Sequence, residues 1–135
     1  MRNLLLLLSA STLLQAESAE WLRYPAISPD GDTVVFTHGA DLYSVASKGG
    51  TATQLTQHVT REFHPVLSND GKWIAFASDR HGNNDVFRMP AQGGPAERLT
   101  FHSNHDIPWA FTADGSGIIF TSTRQDAAAS MDIPN

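Results

Sequence analysis

The 135-residue chain contains no cysteine. Disulfides, thiolate metal sites and lipid attachment through an N-terminal cysteine are therefore excluded. Clustered positive charge is also missing. Nine Lys and Arg stand against 14 Asp and Glu, the net charge is −5, and no basic run occurs. That balance speaks against a nucleic-acid partner. Long hydrophobic runs are absent too: "LLLLLSASTLL", Leu4 to Leu14, is shorter than the about 20 residues that span a bilayer. Preceded by Met1-Arg2-Asn3 and followed by Gln15-Ala16, this stretch has the layout of a secretory signal peptide. We expect residues 1–16 to be that signal, with cleavage after Ala16. Residues 17–135 would then be exported to the periplasm or secreted, with no membrane span left.

What the chain does contain is a repeat. "SPDGDTVVF" (Ser28–Phe36), "SNDGKWIAF" (Ser68–Phe76) and "TADGSGIIF" (Thr112–Phe120) share a pattern, with offsets of 40 and 44 residues. Behind the first two come "GADLYSV" and "NNDVFRM", then "KGGTATQLT" and "QGGPAERLT". A period of about 40 residues with four short apolar runs marks a propeller blade. Asp30-Gly31, Asp70-Gly71 and Asp114-Gly115 are hairpin signals joining a first strand to a second, because Gly tolerates positive φ and Asp bonds local backbone. Gly49-Gly50 and Gly93-Gly94 are placed at the turn from the third strand to the fourth. The second strands are apolar on both faces, as a sheet stacked between two neighbours requires.

The fold class predicted is therefore all-β, an incomplete β-propeller. Blade 1 spans about 21–57, blade 2 about 62–101, and the start of blade 3 about 106–124. Helical repeats are disfavoured because β-branched and aromatic residues fill the runs and Gly or Pro breaks them every 8–12 residues or so. A β-sandwich would leave the threefold pattern to accident. After Phe120 no Asp-apolar-aromatic strand, Gly-Gly turn or Leu-Thr follows. Known propellers close with about four blades or more. The chain is thus expected to be the N-terminal piece of a longer propeller, or else a module completed by self-association. In isolation it should self-associate through its uncovered blade faces.

Candidate chemistry is sparse. His58, His64, His102 and His105 flank consecutive inter-blade loops, with His38 and His81 elsewhere, and are read as polar rim residues, not metal ligands. Asp79, Asn83 and Asp85 only faintly suggest a calcium loop. Asp79 and Arg80 are expected to close the hairpin at "HGNN" by charge. Trp21, Trp73 and Trp109 are assigned to blade packing. Ser28, Ser68 and Thr112 recur at one blade position, so they are read as structural, with hydroxyls bonding backbone near the turn. No Gly-x-Ser-x-Gly elbow is present. No catalytic residue, cofactor site or metal site is assigned.

"SPDGDTVVFTHGADLYSV" and "SNDGKWIAFASDRHGNNDVFRMPAQGGPAERLT" resemble the WD-like repeat of the propellers of TolB and of tricorn-type serine peptidases. The resemblance covers about Trp21 to Arg124. TolB proteins place a separate α/β domain between signal and propeller; here only "EWLRYPAIS" and a few residues intervene, which is closer to the tricorn-like peptidases. That resemblance implies a large exported peptidase with further blades, a PDZ-like module and a C-terminal domain bearing the catalytic serine, none of whose motifs lie in this chain. It implies a substrate-gating or interaction scaffold that meets peptides, envelope proteins and the remaining blades of its own propeller. The alternative is a TolB-like, non-enzymatic protein-binding propeller.

Overall fold

Blade 1 is a four-stranded antiparallel sheet in the order of the chain: β1 (Arg23–Ile27), β2 (Thr33–His38), β3 (Asp41–Ala46) and β4 (Thr53–Gln54). Blade 2 repeats it with β5 (Glu62–Leu67), β6 (Trp73–Ser78), β7 (Asp85–Pro90) and β8 (Glu97–Arg98). Blade 3 comprises β9 (Asp106–Phe111), β10 (Gly117–Ser122) and β11 (Ser130–Asp132). This is a computed structural model. It describes residues 21–124 and, as backbone, 130–132. The expected signal peptide lies outside the described residues.

The third blade departs from the sequence expectation. A third strand is present, pairing Gly117 with Asp132, Ile118 with Met131 and Ile119 with Ser130. Blade 2 has the same register, with Ile74 opposite Met89. The pairing needs only an extended stretch of the right length. The missing Asp-apolar-aromatic motif therefore does not prevent it, and the methionine is the overlooked cue.

The Asp-Gly hairpins are built identically. The hydroxyl of Ser28 donates to Asp30 Oδ1 at 2.5 Å and accepts from the Thr33 N–H at 2.9 Å. Ser68 serves Asp70 (2.6 Å) and Trp73 (2.9 Å) in the same way, and Thr112 serves Asp114 (2.6 Å) and Gly117 (2.9 Å). Gly31, Gly71 and Gly115 sit at φ of 78°, 70° and 73°, a region that disfavours any side chain. These hydroxyls are thus consumed in turn structure.

The recurring Leu-Thr ends have a similar explanation. Thr56 Oγ1 accepts the N–H of Leu42, and Thr100 Oγ1 that of Val86, each at 2.9 Å. Each threonine, buried, tucks the end of its blade against the start of the third strand. Between blades lie two apolar layers. Val35 and Leu42 of blade 1 meet Ile74, Phe76, Phe87 and Met89 of blade 2. Ala75, Val86 and Leu99 of blade 2 meet Phe111, Ile118 and Phe120 of blade 3.

Candidate functional site on the inner strands

The first strand of each blade, β1, β5 and β9, packs against the first strand of the next. This edge of the blades is therefore the inner wall of the array, with the two-residue strands β4 and β8 at the outside. Each inner strand carries a one-residue bulge against its partner: between Arg23 and Ala26, between Phe63 and Val66, and opposite the Ile119/Phe120 step. Bulges re-aim side chains and recur beside functional sites.

The bulges bring three rings into a row. Tyr24 and His64 occupy the same blade position, each before a proline, with φ of 52° and 57°. A bulky residue in this region is uncommon and costs on the order of 1–3 kcal/mol. The Tyr24 and His64 rings lie 5.3 Å apart, and His64 meets Trp109 of blade 3 edge-on at 4.5 Å. Trp109 Nε1 donates to Thr121 Oγ1 at 3.0 Å, and the ring is half-exposed. His64 Nδ1 is buried and has no hydrogen-bond partner. Beside the row, a pocket of about 330 Å³ is lined by Trp21, Arg23, Tyr24, Arg61 and Phe63. The Arg61 guanidinium lies 3.9 Å from the Phe63 ring centre. A strip of aromatic rings flanked by cations suits contact with a polypeptide and offers no nucleophile–base pair.

The remaining sequence candidates are placed elsewhere. The five turn pairs, Asp30-Gly31, Asp70-Gly71, Asp114-Gly115, Gly49-Gly50 and Gly93-Gly94, gather at one end of the blades. There Ser47 N–H donates to Asp32 O, and Ala91 N–H to Lys72 O, each at 2.8 Å. His58 and His102 shape their own loops, their Nδ1 atoms accepting from the Thr60 N–H at 3.3 Å and the Asn104 N–H at 3.2 Å, whereas His105 Nδ1 accepts from the Asn84 N–H in the β6–β7 loop at 3.1 Å. Among the described residues no three His, Asp or Glu converge as a metal-binding group. Trp73 is covered by the Arg88 guanidinium at 4.5 Å, whereas Trp21 is 81% exposed.

Asp79 and Arg80 do not pair with each other. Asp79 Oδ1 accepts the Arg61 N–H at 2.9 Å, while Arg80 reaches across to fully buried Glu62. Burial decides the outcome: a carboxylate without solvent requires the cation more than an exposed one does. Blade 3 repeats the clamp as Asp106–Arg124, at 2.5 Å, and Asp85–Arg98 forms a third buried pair at 2.7 Å. The Glu62 and Asp106 clamps tie the start of each inner strand to the segment after its neighbour, so they hold the aromatic row in place. Sequence reasoning missed both clamps because blade 1 has Leu22 and Ala40 at those positions.

The turn carboxylates carry a pH dependence. The Thr112 hydroxyl, with N–H and hydroxyl bonds from Ser116, lowers the Asp114 carboxyl from 3.8 to about 2. The Ser28 hydroxyl and the Asp32 N–H lower Asp30; the Ser68 hydroxyl and the Lys72 N–H lower Asp70. A folded pKa below the unfolded one gives stability that is present above 3.8 and lost as pH falls through about 2. Asp114→Asn should therefore melt below the wild type at neutral pH, and the gap should close between these two values. Thermal melts across that range check it; a gap independent of pH would contradict the assignment.

Stacked antiparallel sheets, two of four strands and one of three among the described residues, with a lined inner edge define a β-propeller array that carries no catalytic constellation among those residues. Residues 19–133 match the family described as the tricorn protease N-terminal beta propeller domain, and the chain belongs to that family. A TolB-type protein of Agrobacterium tumefaciens is similar at 29% identity over 79% of this chain and 39% of its own, with a TM-score of 0.68. TolB from Acinetobacter baumannii is similar at 26% identity over 82% of this chain and 30% of its own, with a TM-score of 0.67. The tricorn protease structure shares the fold at 22% identity over 73% of this chain and 10% of its own, with a TM-score of 0.64. The chain thus spans well under half the length of each.

Proposed function

We propose that this chain is the N-terminal propeller segment of an exported tricorn-like serine peptidase, and that it receives and gates peptides without cutting them. Family membership over residues 19–133 carries the reading. The inner-strand row of Tyr24, His64 and Trp109 supports it, since it gives a passing polypeptide an aromatic surface beside two arginines. The signal-like sequence of residues 1–16 supports an exported, periplasmic location. The partners are peptides or envelope proteins, and no cofactor takes part.

Hydrolysis of an unstructured polypeptide tests this. The segment from Glu17 to Asn135 should show none, and the full-length gene product should show it. Hydrolysis by the segment that disappears in Ser28→Ala or Ser68→Ala would contradict the reading. The identity to TolB-type propellers favours a second reading, a non-enzymatic protein-binding propeller. Under it, neither the segment nor the full-length product hydrolyses peptide.

A further inference from the structure

We propose that the cleft between blades 2 and 3, at the end of the blades where the Asp-Gly turns gather, binds an oligosaccharide, with Trp73 as its platform. This goes beyond peptide gating and does not depend on it. The cleft measures about 830 Å³, within the range of about 300–1,000 Å³ of small-ligand sites. Both walls belong to this chain. Asn69, Asp70, Trp73, Arg88 and Glu97 come from blade 2, and Asp114 comes from the β9–β10 turn of blade 3. The Asn69 amide fixes one wall to the other: its Nδ2 donates to the carbonyl oxygens of Thr112 and Ala113 at 2.9 and 3.1 Å.

The repeat separates what the blade needs here from what it does not. Arg88 lies opposite Ala75 on one side and Glu97 on the other, and Trp73 is two residues before Ala75. Trp73, Arg88 and Glu97 therefore share the face that Ala75 packs against blade 3. At the matching positions blade 1 has Thr33, Ser44 and Thr53, with Ser44 likewise opposite Val35 and Thr53. A blade thus forms with three small hydroxyl residues at these places. Its architecture does not call for an indole, a guanidinium and a carboxylate together.

The chemistry of the three selects the ligand. Trp73 is 36% exposed, with the Arg88 guanidinium 4.5 Å from its ring centre. Arg88 Nη2 donates to Glu97 Oε2 at 2.9 Å. Asp70 has the Lys72 ammonium at 3.7 Å, and Asp114 accepts from the Thr112 hydroxyl at 2.6 Å and the Ser116 N–H at 3.1 Å. A further cation would have to displace one already in place. An anion would face three carboxylates. A neutral ligand meets neither obstacle. A pyranose presents C–H groups on one face, which suit the exposed indole, and hydroxyls around its rim, each able to donate and accept. The carboxylates of Asp70, Glu97 and Asp114 take the donated bonds, and the Arg88 guanidinium supplies one in return.

Saturation-transfer NMR on the full-length gene product tests this, with maltotriose, cellotriose and chitotriose as probes and oligolysine as the cationic comparison. At least one of the saccharides should show saturable transfer. Its affinity should fall about tenfold in Trp73→Thr, which installs the residue that blade 1 carries at this position. Glu97→Thr should also weaken it. The Glu97 side chain is 60% exposed, so this second variant keeps its fold if the first does not. Transfer from none of the three saccharides, or an affinity unchanged in the folded variants, would overturn the proposal. So would oligolysine binding more tightly than every saccharide and weakening in the same variants, since the cleft would then be a site for cations.

Discussion

Replacing Arg80 by alanine is expected to destabilise the protein by about 3–5 kcal/mol, because it leaves an uncompensated charge in the interior. Glu62 has no exposed side-chain surface, and the Arg80 guanidinium is its only charged partner among the described residues. Arg80 also lies 4.9 Å from the Phe87 ring centre, so its removal strips packing as well. The cost belongs to the broken pair and is not a measure of the intact pair's worth. Replacing both members by apolar residues is often close to neutral. Blade 1 has Leu22 and Ala40 at the corresponding positions, with Leu22 66% exposed where Glu62 is buried. The double variant Glu62→Leu/Arg80→Ala removes the unpaired buried charge and should recover part of the loss, the packing of Arg80 on Phe87 staying unmade. Urea unfolding of the wild type, the single variant and the double variant gives the comparison. A single variant as stable as the wild type would remove the clamp from the account.

Phe76→Ala should cost a similar amount, about 3–5 kcal/mol, by a different route. The ring is fully buried and stacks on Phe87, centroids 5.8 Å apart, within the layer between blades 1 and 2. Two sheets held at fixed spacing by their backbones collapse poorly around a lost ring, so the cavity term adds to the transfer term. Phe76 lies in β6 opposite the β5 bulge that carries His64, so loosening it should also loosen the Tyr24–His64 contact. Phe76→Leu retains most of the volume and should cost clearly less. The unfolding midpoints of the two variants test this; equal losses would mean that shape, not volume, dominates the site.

The blades were legible because their turns announce themselves. Asp-Gly and Gly-Gly demand particular backbone geometry, and their recurrence sets the period before any packing is considered. The candidate site was less legible. Tyr24 and His64 precede prolines, and a residue before proline ordinarily reads as extended, so nothing local signals a left-handed bulge there. Their approach to each other and to Trp109 depends on how successive inner strands pack, neighbouring members of the row lying 40 and 45 positions apart. The Glu62–Arg80 clamp was hidden for a similar reason. Its partners lie 18 residues apart, and Asp79 beside Arg80 offers a nearer but wrong partner. Blade 3's third strand is not legible in the sequence because it lacks the Asp-apolar-aromatic motif and keeps only the register of Met131 opposite Ile118.

This propeller segment is proposed to open an exported peptidase. Reading the coding sequence past the codon for Asn135 tests it most directly. The account predicts an open frame that continues through further Asp-Gly blades into a domain carrying a catalytic serine and its partners. A stop codon immediately after Asn135, or a frame that completes the propeller and ends without such a domain, would contradict it.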